Sequence, residues 1–314
     1  MIKYIINTYT RSMSQATKKR GPGRPPSSAK ANNIPRVGIL TEPNDPNNII
    51  ELKCCNPSIL TKLFKLLNAY KVREILFEFK NRYVYLTAKS HDERVIIYTT
   101  ISGAHTHGYY SSKTVCMVVP YDLIATQIAR IDPKHIDNIV FSRRAGESEI
   151  GKLHVVLHNP ELEISSPSDI NVNNTDRSDE IYEWNEKTYP VSFQLPSKTL
   201  KKYITDISGV SPVVMIEMAW NGPLKFKYNK TLNTIVSEDV FNNPKKIDLQ
   251  FNGDDGTIVG TTVQLVQLRP LANTQVSDNV RLFVDSERDL IATISMDPAF
   301  EIKMRINVES FEDE

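Results

Sequence analysis

Short runs in which apolar and polar residues alternate dominate the chain from Ile49 onward, the period-2 pattern of strands with one buried face. Ile49 to Cys54, Glu74 to Phe79, Tyr83 to Ala88 and Arg94 to Thr100 are such runs, parted by turns such as Lys80-Asn81. Twice the period lengthens to that of a helix. Between Asn56 and Tyr70 the apolar stripe is Ile59, Leu63, Leu66, Leu67 and Tyr70, backed by Lys62 and Lys65 and no acid. Between Leu195 and Ser208 the stripe is Leu200, Tyr203, Ile204 and Ile207, with Lys198, Lys201, Lys202 and Thr205 opposite. Pro196 and Ser197 supply the start signal. The two helices lie about 140 residues apart, so the chain reads as a duplication.

The remaining runs repeat the same programme. After the first helix and its strands come a polar loop (Gly103 to Ser112), a strand (Thr114 to Val119) and a helix over Tyr121 to Asp132. That helix turns Ile124, Ile128 and Ile131 inward and Thr126, Gln127 and Arg130 outward. Strands at Asn138 to Ser142, Lys152 to His158 and Glu161 to Ser165 close the unit. Ser166 to Lys187 is polar, acidic and proline-punctuated, with no periodic pattern, and reads as a connector. From Tyr189 the order restarts, with strands near Val213 to Met218, Leu224 to Tyr228, Ile235 to Val240, Lys246 to Phe251 and Thr261 to Leu268. A short helix over Pro270 to Val276 follows Arg269, and three strands between Val280 and Val308 finish the chain. The expected fold class is α+β, with a basic arm (1–36), a first domain (37–165), a connector (166–188), a second domain (189–308) and an acidic tail (309–314).

Charge changes this picture at the N-terminus. The formal net charge of +1 hides an asymmetry. Residues 1–36 hold eight of the 38 Lys and Arg and none of the 37 acids, which leaves the rest of the chain at −7. A basic arm on an acidic body points to a polyanionic partner for the arm. Within it, Lys18, Lys19, Arg20, Gly23, Arg24 and Pro25 form a Gly-Arg-Pro core with basic flanks. This resembles an AT-hook, in which glycine lets the backbone approach the minor-groove floor and arginine meets the negative potential there. The usual core has arginine where Pro22 stands, and a basic linker or nuclear address explains the segment equally well.

Other chemistry is sparse. Three cysteines, with no Cys-x-x-Cys pair, suit a reducing intracellular compartment, and no apolar run reaches the ~18 residues of a membrane span. His105, His107 and Cys116 lack an acid at ligand spacing, His154 and His158 sit on a strand face, and Gly253 to Gly256 reads as a turn. There is no phosphate-binding glycine loop and no nucleophile elbow, so the expectation is a protein without catalysis, metal or cofactor.

Taken together, the doubled order of elements resembles the DNA sliding clamps, the PCNA family. The likeness is most specific from Tyr189 through Ser208, across Thr262 to Leu271, and from Leu290 to Val308 with its acidic tail. An Arg- and Pro-containing arm ahead of such a body is similar to the PCNA-like proteins of asfarvirus-type large DNA viruses. The resemblance implies a homotrimeric ring with sheets outside and helices lining the hole. It implies that Lys62, Lys65, Arg130, Lys198, Lys201, Lys202 and Arg269 meet phosphates of double-stranded DNA without reading bases. It implies as partners a DNA polymerase, other clamp clients and a clamp loader, at a site of viral DNA replication in the cytoplasm or nucleus, with no role for a membrane. A client-peptide pocket would involve Ile181, Tyr182, Ile306 and Val308. Two other readings stand beside it: a monomeric or dimeric DNA-binding processivity factor that forms no ring, and a β-rich viral structural protein carrying a nucleic-acid-binding arm.

Overall fold

In the first half of the body a strand β1 (Asn48–Cys54) leads into α1 (Pro57–Ala69). Then follow β2 (Glu74–Phe79), β3 (Tyr83–Lys89), β4 (Val95–Ser102), β5 (Gly108–Ser111) and β6 (Val115–Pro120). A second helix, α2 (Tyr121–Ala129), precedes β7 (Asn138–Arg144), β8 (Ile150–Asn159) and β9 (Ile164–Asn174). The second half repeats this order: β10 (Val191–Pro196), α3 (Ser197–Ser208), β11 (Val213–Ala219), β12 (Leu224–Asn229), β13 (Val236–Phe241), β14 (Gln250–Phe251) and β15 (Ile258–Gln264). It ends with α4 (Leu265–Thr274), β16 (Asn279–Val284), β17 (Leu290–Asp297) and β18 (Phe300–Ile306). This computed structural model describes residues 38–306 except 55, 133–134, 137, 147–149, 176–188, 230–235, 242–246, 255 and 285–288.

Strand pairing repeats as faithfully as element order. In the first half β3 pairs with β4 and β2, and β2 with β6; in the second β12 pairs with β13 and β11, and β11 with β15. A second set joins β5, β1, β7, β8 and β9, matched by β14, β10, β16, β17 and β18. Every one of these pairings is antiparallel. Two contacts have no counterpart among the described residues. The first is a two-residue pairing of β6 with β9 at Met117↔Asn174 and Val118↔Asn173. The second is the seam that joins the halves, where β18 lies along β4 from Phe300↔Ile101 to Ile306↔Val95. Because of that seam one sheet of 14 strands runs through both halves, beside a four-stranded sheet of β13, β12, β11 and β15.

The helices form under this sheet system because each has an apolar face to bury. On α1 that face is Leu60, Leu63, Phe64, Leu66 and Leu67, and on α3 it is Leu200, Ile204 and Ile207, all buried. Burial contributes about 1.5–3 kcal/mol for each large side chain, which outweighs the poor N-cap chemistry of both helices. The four helices touch in one row: α2 packs on α1, α1 on α4, and α4 on α3. At the middle of the row the Tyr70 hydroxyl, just past α1, donates to the Gln267 carbonyl of α4 at 2.8 Å, and burial holds that phenol's pKa well above the ordinary value.

Four expectations from the sequence need correction. The segment from Ser166 read as a structureless connector, yet β9 runs to Asn174. Its apolar content is thin, with Ile170 and Val172 buried between exposed polar residues, but ten consecutive register pairs to β8 fix it. The loop Gly103 to Ser112 contains β5, paired to β1. There Tyr109 is fully buried and its hydroxyl donates to the carbonyls of Tyr83 and Lys80, and a Cβ on Gly103 would stand 2.5 Å from its ring. The last helix starts at Leu265, five residues before Pro270, because Leu265, Leu268, Leu271 and Ala272 are all buried on one face; β15 accordingly stops at Gln264. The second helix of the first half ends at Ala129 and does not reach Asp132.

Candidate nucleic-acid interface

An apolar stripe turned to the sheet leaves the opposite side of each helix to solvent, and that side is where the cations are. Lys62 and Lys65 on α1, Lys198, Lys201 and Lys202 on α3, Arg269 on α4 and Arg130 at the end of α2 are all exposed. Against these seven stand two acids within the four helices, Asp122 and Asp206. The five lysines have no carboxylate partner among the described residues. The two arginines are tethered to neutral oxygens: Arg130 donates to Gln127 at 2.9 Å and to Ser168 at 3.1 Å, and Arg269 donates to Ser208 at 3.0 Å, linking α4 to α3.

The sheets differ. Lys225 pairs with Glu238 at 3.4 Å, Lys227 with Glu217 at 2.6 Å, Lys152 with Asp169 at 3.2 Å, and Arg305 with Asp289. His154 also lies 2.7 Å from Asp169, and these hydrogen bonds hold the Asp169 carboxyl below the ordinary aspartate range. Among the described residues every ion pair falls on a strand or a connecting segment, and none on a helix. Cations paired in place have little left for an outside anion; the helical layer keeps its full charge.

At the α3 end of the row lies a cavity of about 660 Å³ lined by Lys198, Thr199, Lys202, Tyr203, Asp206, Tyr228 and Asp239. Tyr228 donates to Asp239 at 3.5 Å, and Tyr203 packs on Phe241 with ring centroids 5.1 Å apart. Burial first, and the Asp239 charge second, raise the pKa of both phenols. This cavity opens beside β13, an edge strand that pairs only with β12 among the described residues.

Of the other residues singled out in the sequence, the arm residues Lys18, Lys19, Arg20, Gly23, Arg24 and Pro25 lie outside the described residues, as do Ile181, Tyr182 and Val308. Ile306 is fully buried between Val95 and Leu290, so it braces the end of β18 and offers no open surface to a peptide. His105 and His107 flank Thr106, whose hydroxyl donates to Gly103 at 2.8 Å in a tight turn. The sequence missed the open edges of β9 and β13, since nothing in a single strand's alternation says whether a second neighbour exists.

No family model matches the chain. In three dimensions it matches the crystal structure of Proliferating Cellular Nuclear Antigen from Entamoeba histolytica with a TM-score of 0.64, covering 83% of this chain and 99% of that one at 11% identity. The fold is that of a sliding clamp. In sequence this clamp-fold chain is similar to the uncharacterized protein E301R of African swine fever virus. Against the isolate Tick/South Africa/Pretoriuskop Pr4/1996 it is 25% identical over 292 residues, 89% of this chain and 94% of that one. Against the isolate Tick/Malawi/Lil 20-1/1983 it is 24% identical over 287 residues with the same coverage. The resemblance to asfarvirus-type proteins inferred from the arm and body thus meets a viral relative along nearly its whole length.

Proposed function

We propose that the protein is a DNA sliding clamp: a non-enzymatic, homotrimeric ring that encircles duplex DNA and tethers a viral polymerase and other replication or repair enzymes to it. The observation that carries this reading is the single helical layer with seven exposed cations and no ion pairs among the described residues, backed by sheets on which most cations have a carboxylate partner. Phosphates spaced along a duplex suit such a surface, because point charges on flexible stems attract without fixing register. Closure is supported by the repeated pairing. The internal seam joins β18 to β4; the corresponding strands β9 and β13 both have an open edge. From Ile164 to Val172 the far edge of β9 has no partner among the described residues. Exposed apolar residues stand on both edges, Ile164 at 51% and Val240 at 38%. If β9 of one copy lies along β13 of the next, head-to-tail association closes both of these edges and buries those residues.

The arm adds a weak, salt-sensitive hold on DNA, with its Gly-Arg-Pro core laid in the minor groove. Client peptides dock beside the connector near Ile181, Tyr182 and Val308, and a loader opens the ring at the site of viral DNA replication. Topology tests the central claim. The protein bound to covalently closed circular duplex should resist a high-salt wash and be released when the circle is cut once. Equal release from circular and linear DNA would leave only a charge-held, non-ring factor, and loss of all binding on deleting residues 1–36 would leave the arm as the sole DNA-binding element.

A further inference from the structure

Strand registers carry the repeat past the last described residue. In the first half the pairing runs from Leu52 to Phe141, Val155 and Ser168; in the second it runs from Phe193 to Leu282, Ala292 and Met304. Leu52 and Phe193 are matching buried positions, each two residues before the last buried residue of its strand, Cys54 and Leu195. Ser168 therefore stands where Met304 stands, and the starts of β9 and β18, Ile164 and Phe300, coincide. Continued along the chain, the match sets Asn173, Asn174 and Thr175 against Glu309, Ser310 and Phe311. A separate count aligns the strand they meet. β6 ends at Pro120 just before α2 and β15 at Gln264 just before α4, and the pair Phe77↔Met117 answers Ile216↔Thr261, all four buried.

In the first half the end of β9 crosses to β6 through Met117↔Asn174 and Val118↔Asn173, and the Thr175 N–H donates to the Cys116 carbonyl at 3.3 Å. β15 pairs only with β11 among the described residues, so its other edge has no strand on it. We propose that the C-terminal tail closes that edge: Glu309 lies opposite Thr262, Ser310 opposite Thr261, and the Phe311 N–H donates to the Gly260 carbonyl. The side chains at the edge fit this occupant. Gly260 and Ile258 share the outer face of β15, where Ile258 is 65% exposed. Phe311 falls across from the glycine and diagonal to Ile258, within reach of an aromatic ring that covers both. The direction of the tail matters too. Antiparallel to a strand that ends at α4, it leads away from the helices at about 3.3 Å per residue. Glu312, Asp313 and Glu314 are thereby kept from neutralising the exposed cations of the helical layer. The pairing is independent of ring closure, because every residue in it belongs to one chain.

Paired cysteines in the full chain test the register. Because Cys116 and Thr175 form a hydrogen-bonded pair, the next pair, Met117 with Asn174, is the closer, non-bonded kind. Thr261 and Ser310 inherit that geometry, with Cα atoms about 4.5 Å apart, within disulfide range. Under oxidised glutathione, Thr261→Cys with Ser310→Cys should form a disulfide inside one chain, read by mass spectrometry of the linked peptides. Its yield should be at least tenfold above Thr261→Cys with Glu312→Cys, which moves the second thiol two residues along the same face. A chain ending at Val308 supplies a second measurement. Its Gly260 and Thr262 amides, which face the tail, should exchange hydrogen at least tenfold faster, while β11 and β12 keep their protection. No excess of the first disulfide over the second overturns the pairing, as does unchanged exchange at β15. A disulfide between chains gives the edge to another copy's tail and overturns the internal closure.

Discussion

Helices α1 and α3 are one design in two settings. Among the described residues both carry an apolar stripe of the same spacing and a lysine face without salt bridges, yet α1 sits inside the row with a neighbour on each side, while α3 packs on α4 alone of the helices. The consequence is seen at a single matched position: Leu66 on α1 is sealed, whereas Asp206 on α3 faces solvent beside the α3 cavity. Burial against the sheet sets which residues must be apolar in every copy of the helix. Burial against a neighbouring helix adds a demand only where the neighbour belongs to the same chain.

Substitutions that exchange the two settings should break this contrast. The largest effect belongs to Leu66→Asp, which places an unpaired charge in a sealed site and should cost on the order of 4 kcal/mol or more, enough to unfold much of the protein in thermal melts. Next, the triple change Lys198→Ala, Lys201→Ala, Lys202→Ala should leave the melting curve in place. It should lower the log–log salt slope of duplex binding by up to about 2.7, at roughly 0.9 per phosphate contact; an unchanged slope would take α3 out of the interface. Tyr70→Phe removes the hydroxyl that bridges α1 to α4 and should cost about 1 kcal/mol of chain stability without altering association. Smallest is Asp206→Leu, which should move chain stability by no more than about 0.5 kcal/mol while tightening association in sedimentation runs, making the outer seam resemble the inner.

Acid should affect the sheets before the helices. The Asp169 carboxyl is held below its ordinary range chiefly by its hydrogen bond with His154, and next by Lys152. A depressed folded-state pKa gives stability that is complete above the unfolded value of about 3.9 and is lost as pH falls through the lower folded value. Because Asp169 is about half exposed the effect is small, and His154→Ala should remove only this pair's share of the acid-side slope, a slight flattening in denaturation followed from pH 5 downward.

Much of the candidate site was legible because it is local. Lys62 and Lys65 beside the stripe of Leu63 and Leu67, or Lys202 opposite Leu200 and Ile204, follow from 3.6 residues per turn, and a helix that buries its stripe leaves them exposed. The start of α4 was misread for the same reason. A proline is most at home in a first helical turn, and only the buried face of Leu265, Leu268 and Ala272 shows that the helix begins earlier. The strand β9 could not be read from its own residues, since its placement comes from backbone bonding to β8.

By itself, the sequence determined the repeated order of strands and helices, the apolar stripe and lysine face of each first helix, and the concentration of positive charge in the arm. Each is a statement about neighbours along the chain, where side-chain period and composition suffice. Only the tertiary structure decided that α2, α1, α4 and α3 form one row, that β18 meets β4, and that β9 and β13 remain open. Those choices depend on backbone groups that are alike in every residue and on packing between segments some 200 positions apart, such as Tyr70 and Gln267 with a separation of 197, about which local periodicity carries no information.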